Sequence, residues 1–322
     1  MARASGGNVQ QVNALAVVAA ALSLGAADVP PDQTVYRIGF ADARRGVLSA
    51  ARPNAPCADG LCAHHVYATS DGGATWRRTL SARTSVGDIA HLSAAPGTST
   101  VFASYPCREP ALCASRVYRS DDFGRTWRLV SRAWLWDPAF ATPRDGWARG
   151  SSGLVATRDG GRTWRQVARH PCPDYANDWY YPALVAPARG YVLCRSSDLT
   201  FPRERGVHET RDGGRTWRLR SALGYEYGRV GSGHRDSFAL RHVSFRPSGR
   251  GWIWRFAGTP LVTSDGGRTW RKATTRWPHS LIWGAAVTDG LAFALAETTR
   301  EQLLLRTVDG GRTWQAVKRW PK

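Results

Sequence analysis

Short stretches of alternating apolar and polar residues fill the chain from residue 33 onward, and one spacing recurs among them. An apolar residue is followed six positions later by glycine, and an aromatic or aliphatic residue comes directly after that glycine. The copies are Phe40 with Gly46 and Val47, Phe140 with Gly146 and Trp147, Leu184 with Gly190 and Tyr191, and Phe245 with Gly251 and Trp252. Two short strands joined by a tight turn produce this pattern, so each copy predicts a β-hairpin. The chain is therefore expected to be all-β.

A second motif, an octet, returns six times. It begins with Thr or Ser and carries Asp at its third position, Gly at its fifth, Thr at its seventh and Trp at its eighth. Asp can cap the backbone N–H groups of its own turn, Gly supplies a positive φ, and the bulky last residues enter a strand. We predict structural roles for the octet residues Asp71, Asp122, Asp159, Asp212, Asp265, Asp309, Trp76, Trp127, Trp164, Trp217, Trp270 and Trp314. No metal site is predicted, because each Asp is separated from its copies by a whole structural unit.

Together the two motifs divide the chain into units 33–83, 86–131, 132–170, 180–221, 240–276 and 280–320. The spacing between successive octet Trp residues, 37 to 53 residues, is typical of a four-stranded propeller blade with insertions. We predict a six-bladed β-propeller of four-stranded antiparallel blades, with seven blades as the alternative. Each octet Trp is expected to be buried beside the neighbouring blade. A strand from the N-terminal region is expected to complete the last blade, because a closed ring leaves no open sheet edge.

The octet resembles the Asp-box, or bacterial neuraminidase, repeat, which in that family lies in the turn between the third and fourth strands of a propeller blade. The hairpin pattern coupled to an octet, clearest from Ala139 to Trp164, resembles the photosystem II assembly factor (Ycf48-like) propellers over nearly all of 33–320. That resemblance implies an exported, non-catalytic propeller that holds an assembly partner. Two features depart from the family, which usually has seven blades and lacks the cysteine pairs found here.

The N-terminal segment is expected to direct export. Arg3 precedes an apolar run from Ala14 to Ala27 that ends in small residues. This arrangement is typical of a signal peptide, and the run is shorter than the ~20 residues of a membrane span. We predict a signal peptide over 1–27 and a single propeller domain over 33–320. The alternative for the apolar run is a buried first strand or helix.

Six cysteines occur in three local groups. Cys57 and Cys62 lie in a loop that matches the loop of Cys107 and Cys113 in the next unit, which leaves Cys172 and Cys194 as a third pair. An even count in matching loops predicts disulfides 57–62, 107–113 and 172–194, and hence an oxidising compartment such as the periplasm, the cell surface or the exterior. The alternative is a zinc site near His64 and His65, although these spacings make poor zinc ligand sets.

The chain is strongly basic, with 44 basic residues, 25 acidic residues and a formal net charge of +19. Only three of the basic residues are Lys. Either Arg serves an anionic partner or the gene's base composition favours Arg. Arg residues flanking the octets are expected to form a positive band on one rim, and they are Arg77, Arg125, Arg128, Arg162, Arg165, Arg215, Arg218, Arg268, Arg271 and Arg312. No nucleic-acid module is recognisable, so nucleic acid is not the expected partner. We expect a monomer without a cofactor.

Binding is expected on the insertions that flank the fourth unit, because rigid scaffolds display function on loops. The insertions cover residues 170–181, 196–208 and 222–236 and are rich in aromatic and charged side chains. The candidate binding residues are Trp179, Tyr180, Tyr225, Glu226, Tyr227, Arg229 and Arg235. The predicted function is an exported binding or assembly module for an envelope protein, a glycan or another anionic ligand.

The alternative function is an exo-sialidase-like glycoside hydrolase, because Asp-box propellers include sialidases. Arg37 lies in Tyr36–Gly39, which resembles the opening Arg-Ile-Pro of that family but has Gly in place of Pro. Asp59 falls in the region of the family's acid, and Tyr225 with Glu226, or Tyr227, resembles its nucleophile pair. Arg37 also belongs to the strand pattern shared by all units, and Asp59 lies between two paired cysteines. We therefore assign no catalytic residue.

Overall fold

The computed structural model describes residues 28–322 apart from 54–57, 86–87, 109–112, 152, 168–171, 173–179, 195–205, 224–239, 256–257 and 275–279. Within this part of the chain, 24 strands form six antiparallel sheets of four strands each. Each sheet uses four consecutive strands, paired in chain order. The predicted six-bladed, all-β propeller is confirmed, and the seven-bladed alternative is wrong.

The six blades follow the predicted units closely. The strands of blades one to three are β1 Thr34–Phe40, β2 Gly46–Ala51, β3 Leu61–Thr69, β4 Arg77–Ser85, β5 His91–Ala94, β6 Val101–Tyr105, β7 Arg116–Ser120, β8 Arg128–Ser131, β9 Trp136–Phe140, β10 Gly146–Gly150, β11 Gly153–Thr157 and β12 Arg165–Gln166. Those of blades four to six are β13 Tyr180–Ala186, β14 Arg189–Cys194, β15 Gly206–Thr210, β16 Arg218–Ala222, β17 Leu240–Phe245, β18 Gly251–Arg255, β19 Leu261–Thr263, β20 Arg271–Lys272, β21 Ser280–Ala286, β22 Ala292–Glu297, β23 Glu301–Thr307 and β24 Gln315–Pro321.

The first strand of each blade lies innermost. These strands, β1, β5, β9, β13, β17 and β21, contact one another in turn around a central channel. The hairpin pattern joins each inner strand to the second strand of its blade. Phe40 pairs with Gly46, and a Cβ on Gly46 would lie 2.6 Å from the Phe40 ring. Glycine is therefore required there by space, and the same holds at Gly146 and Gly251 under Phe140 and Phe245.

Neighbouring blades meet in two alternating ways. At three junctions two aromatic rings stack, with centroids 3.4 to 3.6 Å apart, and these pairs are Phe40 with Phe293, Phe102 with Phe140, and Tyr191 with Phe245. At the other three, a bulky side chain packs on a glycine of the next blade, and these pairs are Val47 with Gly124, Trp147 with Gly190, and Trp252 with Gly311. Both arrangements bury large apolar surface between sheets, which is the main stabilising contribution.

Each octet forms a turn held by its own side chains. In the third copy, the Thr157 hydroxyl donates to Asp159 at 2.8 Å and accepts the Gly161 N–H at 3.0 Å. The Thr163 hydroxyl and N–H both donate to the Asp159 carboxylate, at 2.6 and 3.0 Å. Burial alone raises the pKa of Asp159, but these hydrogen bonds outweigh it and lower that pKa to about 2. The octet Asp therefore stabilises the turn as an anion.

The octet Trp residues correct one expectation. Each contacts the preceding blade or its junction, as predicted, and Trp76 is buried. The other five, Trp127, Trp164, Trp217, Trp270 and Trp314, are only half-buried. The reason is that each octet lies at an end of its blade. There the indole covers the outer edge of the junction, and in the third copy Trp164 Nε1 donates to Gly161 O of its own turn at 3.1 Å.

Ring closure also differs from the expectation, because the sixth blade takes all four strands from residues 280–321. The blade has its four strands without any N-terminal strand from the described residues, which begin at Asp28, so the predicted strand exchange is wrong. Side chains join the last blade to the first instead. Gln302 accepts the Val35 N–H at 2.8 Å and donates to Val35 O at 3.1 Å. Lys318 also pairs with Asp28.

Two of the three predicted disulfides, Cys107–Cys113 and Cys172–Cys194, are present. These four thiols are therefore not available as zinc ligands. Cys57 lies outside the described residues, so the Cys57–Cys62 pairing stays a prediction. The signal peptide over 1–27 also lies outside them. Among the described residues, no helix has the length and apolar character needed to cross a membrane.

Candidate functional site

The two ends of the blades form two different faces of the ring. At one face, which we call the octet face, every octet is hydrogen-bonded to the turn between the first two strands of its blade, for example Gly72 N–H to Arg44 O at 2.7 Å. The connections between second and third strands, and those between blades, lie at the opposite ends of the strands. We call this the insertion face. Cys194 and Gly206, which end β14 and begin β15, lie at this face, as do Ala222 at the end of β16 and Leu240 at the start of β17.

Most of the predicted binding residues fall on the insertion segments that lie outside the described residues. These are Trp179, Tyr225, Glu226, Tyr227, Arg229 and Arg235. Tyr180 is described and is only 2% exposed. Its side chain packs in a core cluster with Trp147 and the Cys172–Cys194 disulfide, and burial raises its pKa. Tyr180 therefore belongs to the core, whereas its neighbour Tyr181 lines the channel.

The central channel carries a ring of chemically diverse side chains. The six inner strands supply equivalent residues, three positions before Phe40, Ala94, Phe140, Leu184, Phe245 and Ala286. We call them the channel ring: Arg37, His91, Asp137, Tyr181, His242 and Trp283. Two positions further along, each strand has a small residue, and these are Gly39, Ser93, Ala139, Ala183, Ser244 and Ala285. All of these residues except Arg37 line a cavity of about 140 Å³. The small residues leave room beside the larger polar ones.

β-Bulges adjoin this level in four of the six inner strands. The register shifts between Val35 and Arg37 in β1, between Leu240 and His242 in β17, and between Leu281 and Trp283 in β21. In β9 the shift includes Asp137. An extra residue re-aims the side chains next to it, and bulges are enriched beside functional sites. Local backbone geometry therefore sets the direction of the channel-ring side chains.

Asp137 and His91 form a buried pair on one side of the ring. His91 Nδ1 lies 2.9 Å from Asp137 Oδ1, and Asp137 has a φ of 47°. Such a φ is unfavourable for a residue with a Cβ and is often found at functional sites. Burial alone raises the pKa of Asp137, but His91, Arg37 and Arg149 outweigh it and lower that pKa to about 2. Burial lowers the pKa of His91, although Asp137 opposes this shift.

His242 lies on the other side of the ring, stacked 3.7 Å from Trp283. Its Nε2 is 2.6 Å from Gly284 O, and burial lowers its pKa to about 3. The ring is therefore neutral near pH 7. A carbonyl oxygen can only accept, so Nε2 carries the proton and Nδ1 is a bare acceptor. Nδ1 is buried and has no hydrogen-bond partner among the described residues.

The same reasoning assigns the tautomer of His91. Ionised Asp137 can only accept, so His91 Nδ1 donates to it and Nε2 is the bare acceptor. Nε2 is also buried without a hydrogen-bond partner in the part of the chain that the structure describes. Buried polar atoms normally have partners. Two buried acceptors in one channel can take hydrogen bonds from water or from a bound molecule.

Arg37 adds a cation to the ring. Its guanidinium carbon lies 3.9 Å from the centroid of Trp283, and one terminal nitrogen donates to Tyr36 O at 3.1 Å. Nε is buried and has no hydrogen-bond partner among the described residues. Burial lowers the pKa of Arg37, and Asp137 opposes that shift in part. A half-buried guanidinium placed over an indole ring is suited to a carboxylate or another planar anion.

The residues nominated for a sialidase-like site are placed differently. Arg37 is part of the channel ring, whereas Asp59 lies in an exposed turn, Ala58–Gly60, in the connection between β2 and β3. The sequence analysis did not identify His91, Asp137, His242 or Trp283. Their position in the strand could have identified them. Each lies three residues before the inner-strand residue that forms the pair next to the first turn of its blade.

Comparison with known proteins gives the fold. No family model matches the chain, and no curated protein matches it. Similar solved structures include Ycf48 bound to D1 peptide (17% identity, 90% of this chain and 84% of that one, TM-score 0.47). A GH74 xyloglucanase from Xanthomonas campestris is 16% identical over 88% of this chain and 45% of its own length, with a TM-score of 0.50.

The Hadza microbial sialidase Hz136 is 16% identical over 89% of this chain and 66% of its own, with a TM-score of 0.49. At such identities the similarity extends to the fold alone. The propeller fold expected from the sequence is confirmed by the six four-stranded sheets. The similar structures include enzymes, so they leave the question of catalysis open.

Proposed function

We propose that this protein is an exported, non-catalytic binding module that holds an anionic ligand in the channel ring. One observation carries the proposal: His91 and His242 line the channel cavity and each has a buried ring nitrogen without a hydrogen-bond partner among the described residues, while Arg37 lies beside them on Trp283. A ligand with an anionic group for Arg37 and O–H or N–H donors for the imidazoles satisfies all three. Few, well-placed polar groups in a concave site fix the orientation of a ligand in this way.

The ligand is a segment of an envelope protein or glycan that reaches the channel from the insertion face. The Ycf48 structure with a bound D1 peptide makes a peptide a reasonable class to test first. The two disulfides support folding in an oxidising compartment, in agreement with export. The insertion residues Tyr225, Tyr227, Arg229 and Arg235 are proposed as further contacts, because aromatic and Arg side chains are frequent interface anchors.

The pKa of Asp137 supports binding over hydrolysis. A glycosidase general acid needs a raised pKa, so that it still carries a proton near pH 7. The pKa of Asp137 is lowered to about 2, so this carboxylate stays ionised and orients His91. Its role is then to fix the imidazole tautomer that presents Nε2 to the ligand.

The test is a binding screen on the exported chain with two sets of probes, peptides that end in a free carboxylate and carboxylated oligosaccharides. Each binder is measured by calorimetry against Arg37→Gln and His242→Phe. A hydrogen bond to a charged group contributes about 1.5–3 kcal/mol, so we expect affinity to fall about 10- to 100-fold in Arg37→Gln. Arg132→Gln, an exposed change, is the control and leaves affinity unchanged. Equal affinity of the wild type and Arg37→Gln would refute the proposed site.

A sialidase-like hydrolase remains the second candidate, favoured by the position of Arg37 in the channel within the electrostatic influence of Arg241. Two arginines close to each other suit the carboxylate of a sugar acid. The assay is release of the fluorophore from a fluorogenic sialoside. If the wild type is active, and Glu226→Gln or Arg37→Ala abolishes that activity, the hydrolase replaces the binding module.

A further inference from the structure

The octet face presents equivalent turns of all six blades. In each blade one backbone hydrogen bond, 2.7 to 3.0 Å long, ties the octet to the neighbouring turn. The six octets therefore lie at corresponding heights around the ring, and side chains at equivalent octet positions form a circle. Any charge that repeats in the octets repeats around this whole face.

Arginine repeats in this way. The sixth octet position and the residue after the octet Trp are both Arg in blades two to five, and blades one and six each contribute one. All ten side chains are exposed, and we call them the arginine belt: Arg77, Arg125, Arg128, Arg162, Arg165, Arg215, Arg218, Arg268, Arg271 and Arg312. The band predicted from the sequence thus occupies one face of the fold.

The acidic residue of each octet does not project toward a partner in the same way. In the fifth copy, Asp265 accepts hydrogen bonds from the Thr263 hydroxyl at 2.7 Å, from the Thr269 hydroxyl at 2.7 Å and from the Arg268 N–H at 2.9 Å. Its carboxylate is used within the turn, whereas the Arg268 guanidinium is exposed. The third, fourth and fifth octets, each with the residue that follows it, therefore present at least two exposed arginines for one internally bonded anion. In the second octet the exposed Asp121 pairs with Arg128.

We propose that the arginine belt docks the protein on a bilayer that contains anionic lipids. A circle of equivalent turns is a broad surface, which suits a sheet of phosphate groups. Among the described residues the exposed large apolar side chains are Leu129, Leu219 and Val308, with no aromatic ring among them. Single-stranded nucleic acid is bound largely by stacking on aromatic rings, so a lipid surface fits better.

Docking through this face leaves the insertion face directed away from the bilayer. Each inner strand runs from the insertion face to the octet face. Its channel-ring residue therefore lies closer to the insertion face than its small residue does. A protein held in this way presents its channel to a partner while it stays at the membrane surface. The proposal does not depend on the ligand of the channel, because the two sites lie toward opposite ends of the blades.

The test compares two double variants with the same net charge. The double variant Arg215→Gln with Arg268→Gln removes two belt residues. The turns should stay intact, because these residues donate to the octet Asp through their backbone N–H groups, which Gln retains. Arg132→Gln with Arg300→Gln removes two exposed arginines at the insertion face. Co-sedimentation is measured with vesicles of equimolar phosphatidylcholine and phosphatidylglycerol, and with vesicles of phosphatidylcholine alone. Equal melting temperatures of both variants and the wild type show that they are folded.

We expect the wild type to bind the anionic vesicles, to bind neutral vesicles far less and to dissociate as salt rises. The belt variant should bind about 10- to 30-fold more weakly, whereas the insertion-face variant should stay within about twofold of the wild type. Equal losses in both variants would reduce the effect to net charge and overturn the proposal. Failure to bind anionic vesicles at low salt would also overturn the proposal. This holds even if the belt binds dextran sulfate or single-stranded DNA.

Discussion

Replacing Gln302 with Leu tests how the ring is closed. Gln302 is 2% exposed and lies in β23 of the last blade, and its amide makes both of its hydrogen bonds to the backbone of Val35 in the first blade. The two residues are separated by 267 positions in the chain. Leu has a similar size but no polar atom. The change therefore removes the polar link between the ends of the chain and leaves most of the packing in place.

The expected cost follows from the two backbone groups that lose their partners. Val35 is completely buried, so water does not replace the amide at its N–H and C=O. Each buried, unsatisfied polar group costs about 1–3 kcal/mol, which gives about 2–6 kcal/mol for the pair. For a chain of this size, that loss lowers the melting temperature by roughly 4–10 °C. The opening should begin at the junction between the last blade and the first.

Two measurements check this. Thermal unfolding followed by Trp fluorescence gives the shift in melting temperature, and hydrogen exchange of the backbone amides shows where opening occurs. Exchange should accelerate in β1 and β21 and stay unchanged in β13 and β17. Gln315→Leu, the same substitution at an exposed position of the same blade, is the control and should change stability by about 0.5 kcal/mol or less. A Gln302→Leu protein as stable as this control would contradict the closure argument.

Three further predictions follow from the turns, the histidines and the cysteines. Asp159→Ala should lower stability by about 1–3 kcal/mol in urea unfolding, because several donors of the turn lose their acceptor; a change near zero would mean that solvent replaces it. Burial lowers the folded pKa of His64 to about 4 and that of His242 to about 3, below the unfolded value of about 6.5. The stability that these neutral imidazoles contribute is therefore complete above pH ~6.5 and is lost as the pH falls toward the folded pKa values. His64→Phe should flatten the decline in urea midpoint between pH 7 and 4, and an unchanged slope would refute the assignment. Under non-reducing conditions the intact mass should show three disulfides, Cys57–Cys62 included; six free thiols would exclude export into an oxidising compartment.

The sequence predicted most of the fold because its two motifs are local. The turn chemistry of an octet and the glycine beneath Phe40 each depend on residues only a few positions apart, so their spacing identified every blade. Closure at Gln302 could not be predicted in this way. It depends on a contact between opposite ends of the chain, and no local pattern indicates which side chain meets Val35.

The channel ring was missed for a different reason. Its members lie at the same position of each blade but comprise five residue types, and only histidine occurs twice, so no sequence repeat marks them. Their common feature is their position in the inner strand relative to the first hairpin, which becomes visible only after the strands are aligned. The half-burial of five octet Trp residues was also not predictable, because it depends on how far each turn extends past the edge of the junction.

The alternating junctions have a consequence for how such a ring can change its size. Blades one, three and five end their inner strands in Phe40, Phe140 and Phe245, and each of these rings needs a flat aromatic partner in the blade before it. Deleting or duplicating one blade would bring two unlike contact surfaces together. A Phe ring would then face a Trp or Val side chain instead of its aromatic stacking partner. Moving two adjacent blades together preserves every junction. In its contacts the molecule is therefore a trimer of blade pairs within one chain, and the blade pair is the natural unit for shortening, lengthening or permuting it.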